Sequence, residues 1–430
     1  MKRYSEYKDI GLPWYPKGIP SHWKTSRHKN VLKEHKELVG ANSEKYTLLS
    51  LTLNGVIIRD LSEGKGKFSK EYDKYVVVNR GDLIFCLFDV DETPRTVGLS
   101  KHEGMITGAY DVFSPYNINS YYFYYYYLAL DNYKLLKPLY TGLRKVIAYP
   151  TFTSIKFPVP PREEQDQIVR FLDWKTAKID KLIEGYKKQI VLLEERKRSF
   201  VFNYVTKGFT PSAKQRNSDI YWLDYVPRHW QTKTIAQLFS EVKCKNSGMK
   251  EKNLLSLSYG IIKQRDINAT EGLLPESFEG YNIIEKDDIV LRLTDLQNDH
   301  KSLRTGISKE KGIITSAYLT IRNKSNNDSD YLHLFLHSFD LVKGFYNIGA
   351  SGVRQSLNWD VIKTLKVLIP PIDEQKKIVS SIKEEYQIIE HSKHSIQKQI
   401  ALLKEYRTRL ISDVVTGQID VRDEKVPETR

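Results

Sequence analysis

From Glu163 to Tyr204 the apolar positions fall in alternating steps of three and four. Ile179, Ile183, Tyr186, Ile190, Leu193, Phe200 and Tyr204 mark the steps, and Lys197 fills the slot between Leu193 and Phe200. That spacing is the seam of a coiled coil. Pro160-Pro161 stands just before it, followed by Glu163 and Glu164. Proline can precede a helix but not sit inside one, and acidic side chains suit a first turn. The pattern therefore predicts one helix, roughly 60 Å long at 1.5 Å per residue. The same slots recur at Ile389, Lys393, Ile396, Ile400, Leu403, Leu410 and Val414, with Arg407 where Lys197 stood. A stripe this narrow cannot bury itself, so each helix is expected to pack on the other.

The two stretches are copies. Val159-Pro160-Pro161-Arg162-Glu163-Glu164-Gln165 returns as Ile369-Pro370-Pro371-Ile372-Asp373-Glu374-Gln375, 210 residues later. Lys188 to Leu193 returns as Lys398 to Leu403, and Val205-Thr206 as Val415-Thr416, at the same distance. A register kept without one insertion points to a structural constraint on length. The alternative is two unrelated helices packed on separate domains.

The repeat extends into the regions between. Ile19-Pro20-Ser21-His22-Trp23 matches Val226-Pro227-Arg228-His229-Trp230, and Tyr75–Val90 matches Tyr281–Leu296. Ile106-Thr107-Gly108-Ala109-Tyr110 matches Ile314-Thr315-Ser316-Ala317-Tyr318, and Gly142-Leu143-Arg144 matches Gly352-Val353-Arg354. Here the offset drifts, so insertions lie in these parts. One unit used twice reads as internal pseudo-twofold symmetry. Val76-Val77-Val78, Asp82 to Phe88, Ile283-Ile284 and Ile289 to Leu293 read as strands. Ser120–Leu130 and Ser329–Phe339 read as helices with Ser or Asp caps. The fold class is α/β (α+β): two similar mixed domains joined by two long antiparallel coiled-coil helices. The boundaries are 1–158, 159–208 (helix), 209–368 and 369–417 (helix), with a charged surface tail at 418–430. Lys207–Ser218 reads as a linker.

Composition narrows the function. The chain has 430 residues, enough for two globular domains, and a net charge of +14, which favours a polyanionic partner such as nucleic acid. Cys86 and Cys244 form neither a metal spacing nor a disulfide framework, which fits a reducing cytoplasm. No apolar run reaches the length of a membrane span, and no signal-peptide core opens the chain.

Catalytic motifs are missing. There is no phosphate-binding Gly-x4-Gly-Lys-Ser/Thr and no Asn/Asp-Pro-Pro-Tyr/Phe methyltransferase pocket. His333 and His337 stand four apart but lack the intervening Glu of a zinc-protease helix, and read as helix-surface residues. Asp287-Asp288 occupies a turn. No catalytic residue and no metal site is expected.

What remains suits the reading of DNA. Arg144 and Arg354 occupy equivalent glycine-containing loops. A guanidinium fork matches a guanine edge or a phosphate, while the other reading is a structural Arg on a core carboxylate. Lys145 and Gln355 follow them and differ, as two different half-site readers would. Thr107 with Tyr110, and Thr315 with Tyr318, face either DNA or the core. Arg59 and Arg265 are each followed by Asp and could be self-satisfied ion pairs. Arg292, in the strand at 289–293, joins this set. Tyr121 to Tyr127 resembles a stacking platform for single strands; at helical spacing it also reads as a packed face with a wet one.

The paired Pro-Pro-x-x-Glu-Gln motifs, with Val205-Thr206-Lys207-Gly208 and Val415-Thr416-Gly417 at the helix ends, resemble the specificity subunit of type I restriction–modification systems. The resemblance covers nearly the whole chain. It implies two target-recognition domains, each reading half of a split double-stranded DNA site, and two spacer helices acting as ruler and docking surface. It further implies a chain that is not itself an enzyme and holds no cofactor. Two methyltransferase subunits would bring S-adenosylmethionine and methylate adenine; restriction/translocase subunits would bring ATP and Mg. A coiled-coil scaffold that binds nucleic acid nonspecifically is the alternative.

Overall fold

The computed structural model describes residues 2–427 apart from 13, 16, 60–71, 210–213, 268–274, 276, 297–302 and 349–355. These residues form two compact units. One comprises Met1–Tyr186 with Gln397–Arg430, the other Lys187–Ile396. Each unit takes the near half of one long helix and the far half of the other.

In the first unit the strands are β1 (Lys24–Arg27), β2 (Leu32–His35), β3 (Leu49–Thr52), β4 (Gly55–Ile58), β5 (Val76–Val78), β6 (Leu83–Phe85), β7 (Val97–Leu99), β8 (Gly104–Ile106) and β9 (Asp111–Pro115). Helix α1 (Ser120–Asn132), β10 (Lys156–Val159) and α2 (Arg162–Lys207) follow. A four-stranded antiparallel sheet runs β2-β9-β6-β7, with pairs β8-β5, β3-β4 and β10-β1 beside it.

The second unit repeats this plan. It has β11 (Gln231–Thr234), β12 (Phe239–Glu241), β13 (Leu255–Ser258), β14 (Ile261–Gln264), β15 (Asn282–Ile284), β16 (Ile289–Leu291), β17 (Thr305–Ile307), β18 (Gly312–Ile314) and β19 (Leu319–Asn323). Then come α3 (Ser329–Leu341), β20 (Lys366–Ile369) and α4 (Ile372–Val415). Its sheet runs β12-β19-β16-β17, with pairs β19's neighbours aside at β15-β18, β13-β14 and β11-β20.

The helices form where the pattern places them, from Arg162 and from Ile372. Strands β6 and β16 are shorter than expected. Strand β6 ends at Phe85, although Cys86 N–H still donates to Thr96 C=O at 2.9 Å and Leu87 stays in the core; the backbone reaches positive φ at Asp89, at +47°. The expected linker contains a strand, Gln215–Asn217, paired with Tyr225–Pro227.

Each unit has one main core. In the first, Trp23, Phe85, Phe113, Phe123 and Phe157 meet Ile168, Leu172 and Ile179 of α2 and Leu410, Ile411 and Val414 of α4. In the second, Trp230, Leu291, Tyr331 and Phe335 meet Val201 and Val205 of α2 and Ile378 and Ile382 of α4. The expected seam residues are buried or half-buried throughout, with exposed neighbours. Charges reinforce it: Arg407 pairs with Asp180 at 3.1 Å in the first unit, and Lys197 with Glu390 at 2.9 Å in the second.

The tyrosine run is core, not a stacking platform. Tyr122, Phe123, Tyr125, Tyr126 and Tyr127 of α1 are all buried, a helix apolar on nearly every side. His28 lies among Phe123, Phe152, Phe157 and Tyr127, and burial pushes its imidazole down to about 3. The terminal residues also depart from expectation, for they dock rather than dangle. Val421 is fully buried, Asp420 N–H donates to Lys2 C=O at 2.9 Å, and Gln167 donates to the carbonyls of Val421 and Glu424 at 3.0 and 2.8 Å. No helix among the described residues is long and apolar enough to cross a membrane.

Candidate nucleic-acid interface

The Glu-Gln of each repeated motif locks its unit together. Glu164, in the first turn of α2, accepts the indole N–H of Trp23 at 3.0 Å, contacts His22 Nε2 at 2.8 Å and accepts the hydroxyl of Tyr4. Glu374, in the first turn of α4, does the same for Trp230 at 3.1 Å and His229 at 3.0 Å. A carboxylate here also meets the positive end of the helix dipole. Gln165 accepts the backbone N–H of Asn119 at 2.9 Å, and Gln375 that of Asp328 at 2.9 Å. Asn119 and Asp328 are the N-caps of α1 and α3. The motifs thus fix the frame on which the loops are mounted.

Two loops come together on each frame. In the first unit, the segment after β6 meets the segment before β10: Asp89 N–H donates to Arg144 C=O at 2.9 Å, and Ile147 N–H to Leu87 C=O at 2.8 Å. Gly142, at φ +73°, opens a tight turn whose tip is Leu143 and Arg144, both exposed. Lys145 pairs with Asp91 at 3.1 Å and also with Glu92, and these carboxylates raise its pKa. Arg144 therefore faces solvent at the tip, while Lys145 is engaged with its own loop.

The second unit reproduces the junction, Leu357 N–H donating to Leu293 C=O at 3.0 Å. Its loop is braced by Arg304, which is fully buried. The guanidinium donates to the carbonyls of Arg292 at 3.2 Å, Thr294 at 2.7 Å and Asp295 at 3.2 Å. Asp340 of α3 accepts the Arg304 N–H and is pushed up to about 6 by burial. Asp131 of α1 holds Thr96 in the corresponding way, 3.1 Å from its N–H and 2.7 Å from its hydroxyl. Arg354 and Gln355 lie outside the described residues.

The threonines have a local role. Tyr110 N–H bonds to Thr107 C=O at 3.1 Å, and Ala109 N–H to the Thr107 hydroxyl at 3.4 Å; Thr315 repeats both at 3.2 and 3.3 Å. These are Thr-initiated turns. Tyr110 is half-buried and stacks on Phe88, and Tyr318 packs against the Leu255–Leu257 cluster. Arg59 and Arg265 follow the hairpins β3-β4 and β13-β14; with Arg292, none of the three is free. The hairpins expose Leu53, Ile58, Tyr259 and Ile261, a feature that strand alternation alone did not single out.

His333 and His337 are a second correction. They lie half-buried on α3 rather than open to solvent, with Thr305 Oγ1 3.3 Å from His337 Nδ1. Burial pushes them to about 3 and about 4, with Lys197 and Arg198 adding to the effect at His337. Among the described residues no three His, Cys, Asp or Glu side chains gather as a metal site.

The frame occurs twice, and the residues after the equivalent glycines differ in sequence, Arg144-Lys145 against Arg354-Gln355. The family model "Type I restriction modification DNA specificity domain" matches residues 52–192 and 227–401, well over half of the chain. The chain belongs to this family and carries two of its domains. Two curated relatives are specificity subunits of Methanocaldococcus jannaschii. One, of the MjaVIII type I restriction enzyme, is 24% identical over 63% of this chain and 64% of its own length. The other, of the putative MjaX enzyme, is 21% identical over 62% and 60%. The chain thus spans less than two thirds of each. The HsdS subunit of Thermoanaerobacter tengcongensis shares the fold with TM-score 0.53 at 13% identity, covering 94% of this chain and 99% of that one. A chain from a structure addressing assembly and conformational transition of the type I R-M system gives TM-score 0.63 at 12% identity, covering 94% and 100%.

Proposed function

We propose that the chain reads a bipartite double-stranded DNA target, one half-site per unit, and brings partner adenine methyltransferase and restriction/translocase subunits to it. The observation that carries this reading is the retained frame with changed loops: Arg144-Lys145 in one unit stands against Arg354-Gln355 in the other. Lys and Arg contacts to phosphate supply affinity, and base-edge contacts supply sequence. The long helices supply the spacing and the docking surface. At 46 and 44 residues they measure about 69 and 66 Å. Leu182, Leu402 and Tyr406 are exposed on the helices of the first unit, and Val191, Leu192 and Ile388 on those of the second. Such apolar positions suit partner helices. S-adenosylmethionine, ATP and Mg belong to the partner subunits.

Mapping methylated adenines in the host genome, with and without this gene, tests the reading. A split motif that vanishes with the gene supports it. Shortening one helix by four residues changes the permitted gap and leaves the half-sites alone. Replacing 1–158 by another such domain replaces one half-site only. Selection from random duplexes that enriches no split motif overturns the proposal in favour of a nonspecific scaffold.

A further inference from the structure

Arg304 is fully buried where two segments of the second unit meet. The first segment is 292–295: Nη1 donates to the carbonyls of Arg292 at 3.2 Å and Thr294 at 2.7 Å, and Nη2 to that of Asp295 at 3.2 Å. The second begins with the short helix Gly344–Ile348, where the Tyr346 hydroxyl accepts from Nε at 3.0 Å. Farther along it, Leu357 N–H returns to Leu293 C=O at 3.0 Å. Asp295 stands at φ +57°, a conformation that its surroundings must enforce. A planar guanidinium holds several acceptors at set angles, which a flexible ammonium does not. Burying a charge is costly, so a fully buried arginine spread over backbone carbonyls marks a place where the backbone has to be held.

The first unit supplies the comparison. Register places Thr96 where Arg304 stands, since Phe85 pairs with Val97 as Leu291 pairs with Thr305. Threonine has no such fork. There the equivalent segments are joined by Asp91 instead, which accepts from the Tyr140 hydroxyl at 3.3 Å and pairs with Lys145 at 3.1 Å. Beside that tie the exposed Arg144 occupies its turn tip. What the two units share is therefore the tie between the segments, not the residues that make it.

We propose that Arg304 is a positioning residue for DNA reading by the second unit, holding segment 292–295 against the helix at Tyr346 so that one half-site is read sharply. This deepens the DNA-reading assignment above and rests on it. Arg304 acts through these segments and, being fully buried, contacts no base. Without the guanidinium the three carbonyls lose their shared donor and the two segments lose their link, so side chains mounted on them sample more positions. A base-edge contact depends on exact placement, whereas a phosphate contact tolerates displacement; discrimination therefore falls before affinity does.

The test uses the full chain. Selection from random duplexes gives the split motif, and binding is then measured to that duplex and to duplexes with one wrong base pair in either half. R304M keeps the bulk and removes the donors. It is expected to lower discrimination against a wrong base pair by roughly tenfold in one half, the size of a typical mismatch penalty, and to leave the other half unchanged. Y346F removes a single acceptor and should give a smaller loss in the same half with an unaltered melting temperature. R304K keeps the charge without the fork and should fall between R304M and the unaltered chain. Y346F and R304K decide the matter if R304M misfolds. A loss spread equally over both halves, or unchanged discrimination in every folded variant, overturns the proposal and leaves Arg304 a role in stability alone. Failure of the unaltered chain to select any split motif would instead count against DNA reading itself.

Discussion

Trp230 donates its indole N–H to Glu374 at 3.1 Å, and Trp23 donates to Glu164 at 3.0 Å, although each tryptophan stands more than a hundred residues from its acceptor. Both indoles are buried, at 2% and 0% exposure. Each bond ties the N-terminal part of a unit to the first turn of a long helix.

Removing the acceptor leaves a buried donor unpaired. Glu374→Leu is expected to destabilise the second unit by about 2–3 kcal/mol. Glu164→Leu should cost more, because Glu164 takes Tyr4 and His22 as well. Denaturant midpoints of the two variants against the unaltered chain check both the loss and its order.

His28 sets a pH dependence in the first unit. Its folded pKa, about 3, lies below the unfolded value near 6.5. The unfolded chain therefore binds a proton that the folded one refuses. Stability is fully present above about pH 6.5 and falls as pH drops from there toward 3, by up to about 1.4 kcal/mol per unit. His28→Gln should flatten this slope by as much as one proton, read from unfolding free energies across that range. Unchanged slopes would remove His28 from the account.

Gly417 and Gly142 both hold positive φ, at +72° and +73°, yet their surroundings differ. An added Cβ at Gly417 would lie 2.4 Å from Pro20 Cδ, whereas at Gly142 nothing lies within 4 Å. Gly142→Ala should cost about 1 kcal/mol, the backbone term alone. Gly417→Ala should cost clearly more, with the larger drop in melting temperature.

Arg144 is exposed at a turn tip, so its truncation is expected to leave folding unchanged and to weaken DNA binding. A fall of about one in the salt slope marks a phosphate contact. A constant slope with relaxed preference at one base marks a base contact. Unaltered affinity at every salt concentration takes Arg144 out of the interface.

Periodicity made the long helices and the duplication legible, because a 3.5-residue seam and an uninterrupted repeat are local properties of the chain. The roles of Glu164 and Gln165 were not legible, since their partners Trp23 and Asn119 are brought to them only by folding. In Tyr121 to Tyr127 composition offered a stacking platform, whereas helical spacing pointed to the packed face that the structure shows, with Tyr121 left exposed. His333 and His337 misled through spacing, which places them on one helix face but does not say what covers it. The docking of Val421 was hidden by the charged residues around it, which hold the short segment at its edges. The turn at Gly142-Leu143-Arg144 was legible as a loop from its glycine, and what Arg144 touches depends on a partner molecule.

Each long helix starts in one compact unit and finishes in the other, so no single cut of the chain yields an intact module. A scission near Gly185 would leave both fragments with apolar surface that only the other fragment can cover. Such pieces should be insoluble when made separately and should recover a native structure when refolded together. Any effort to excise one reading module for reuse must carry along a piece of the distant helix.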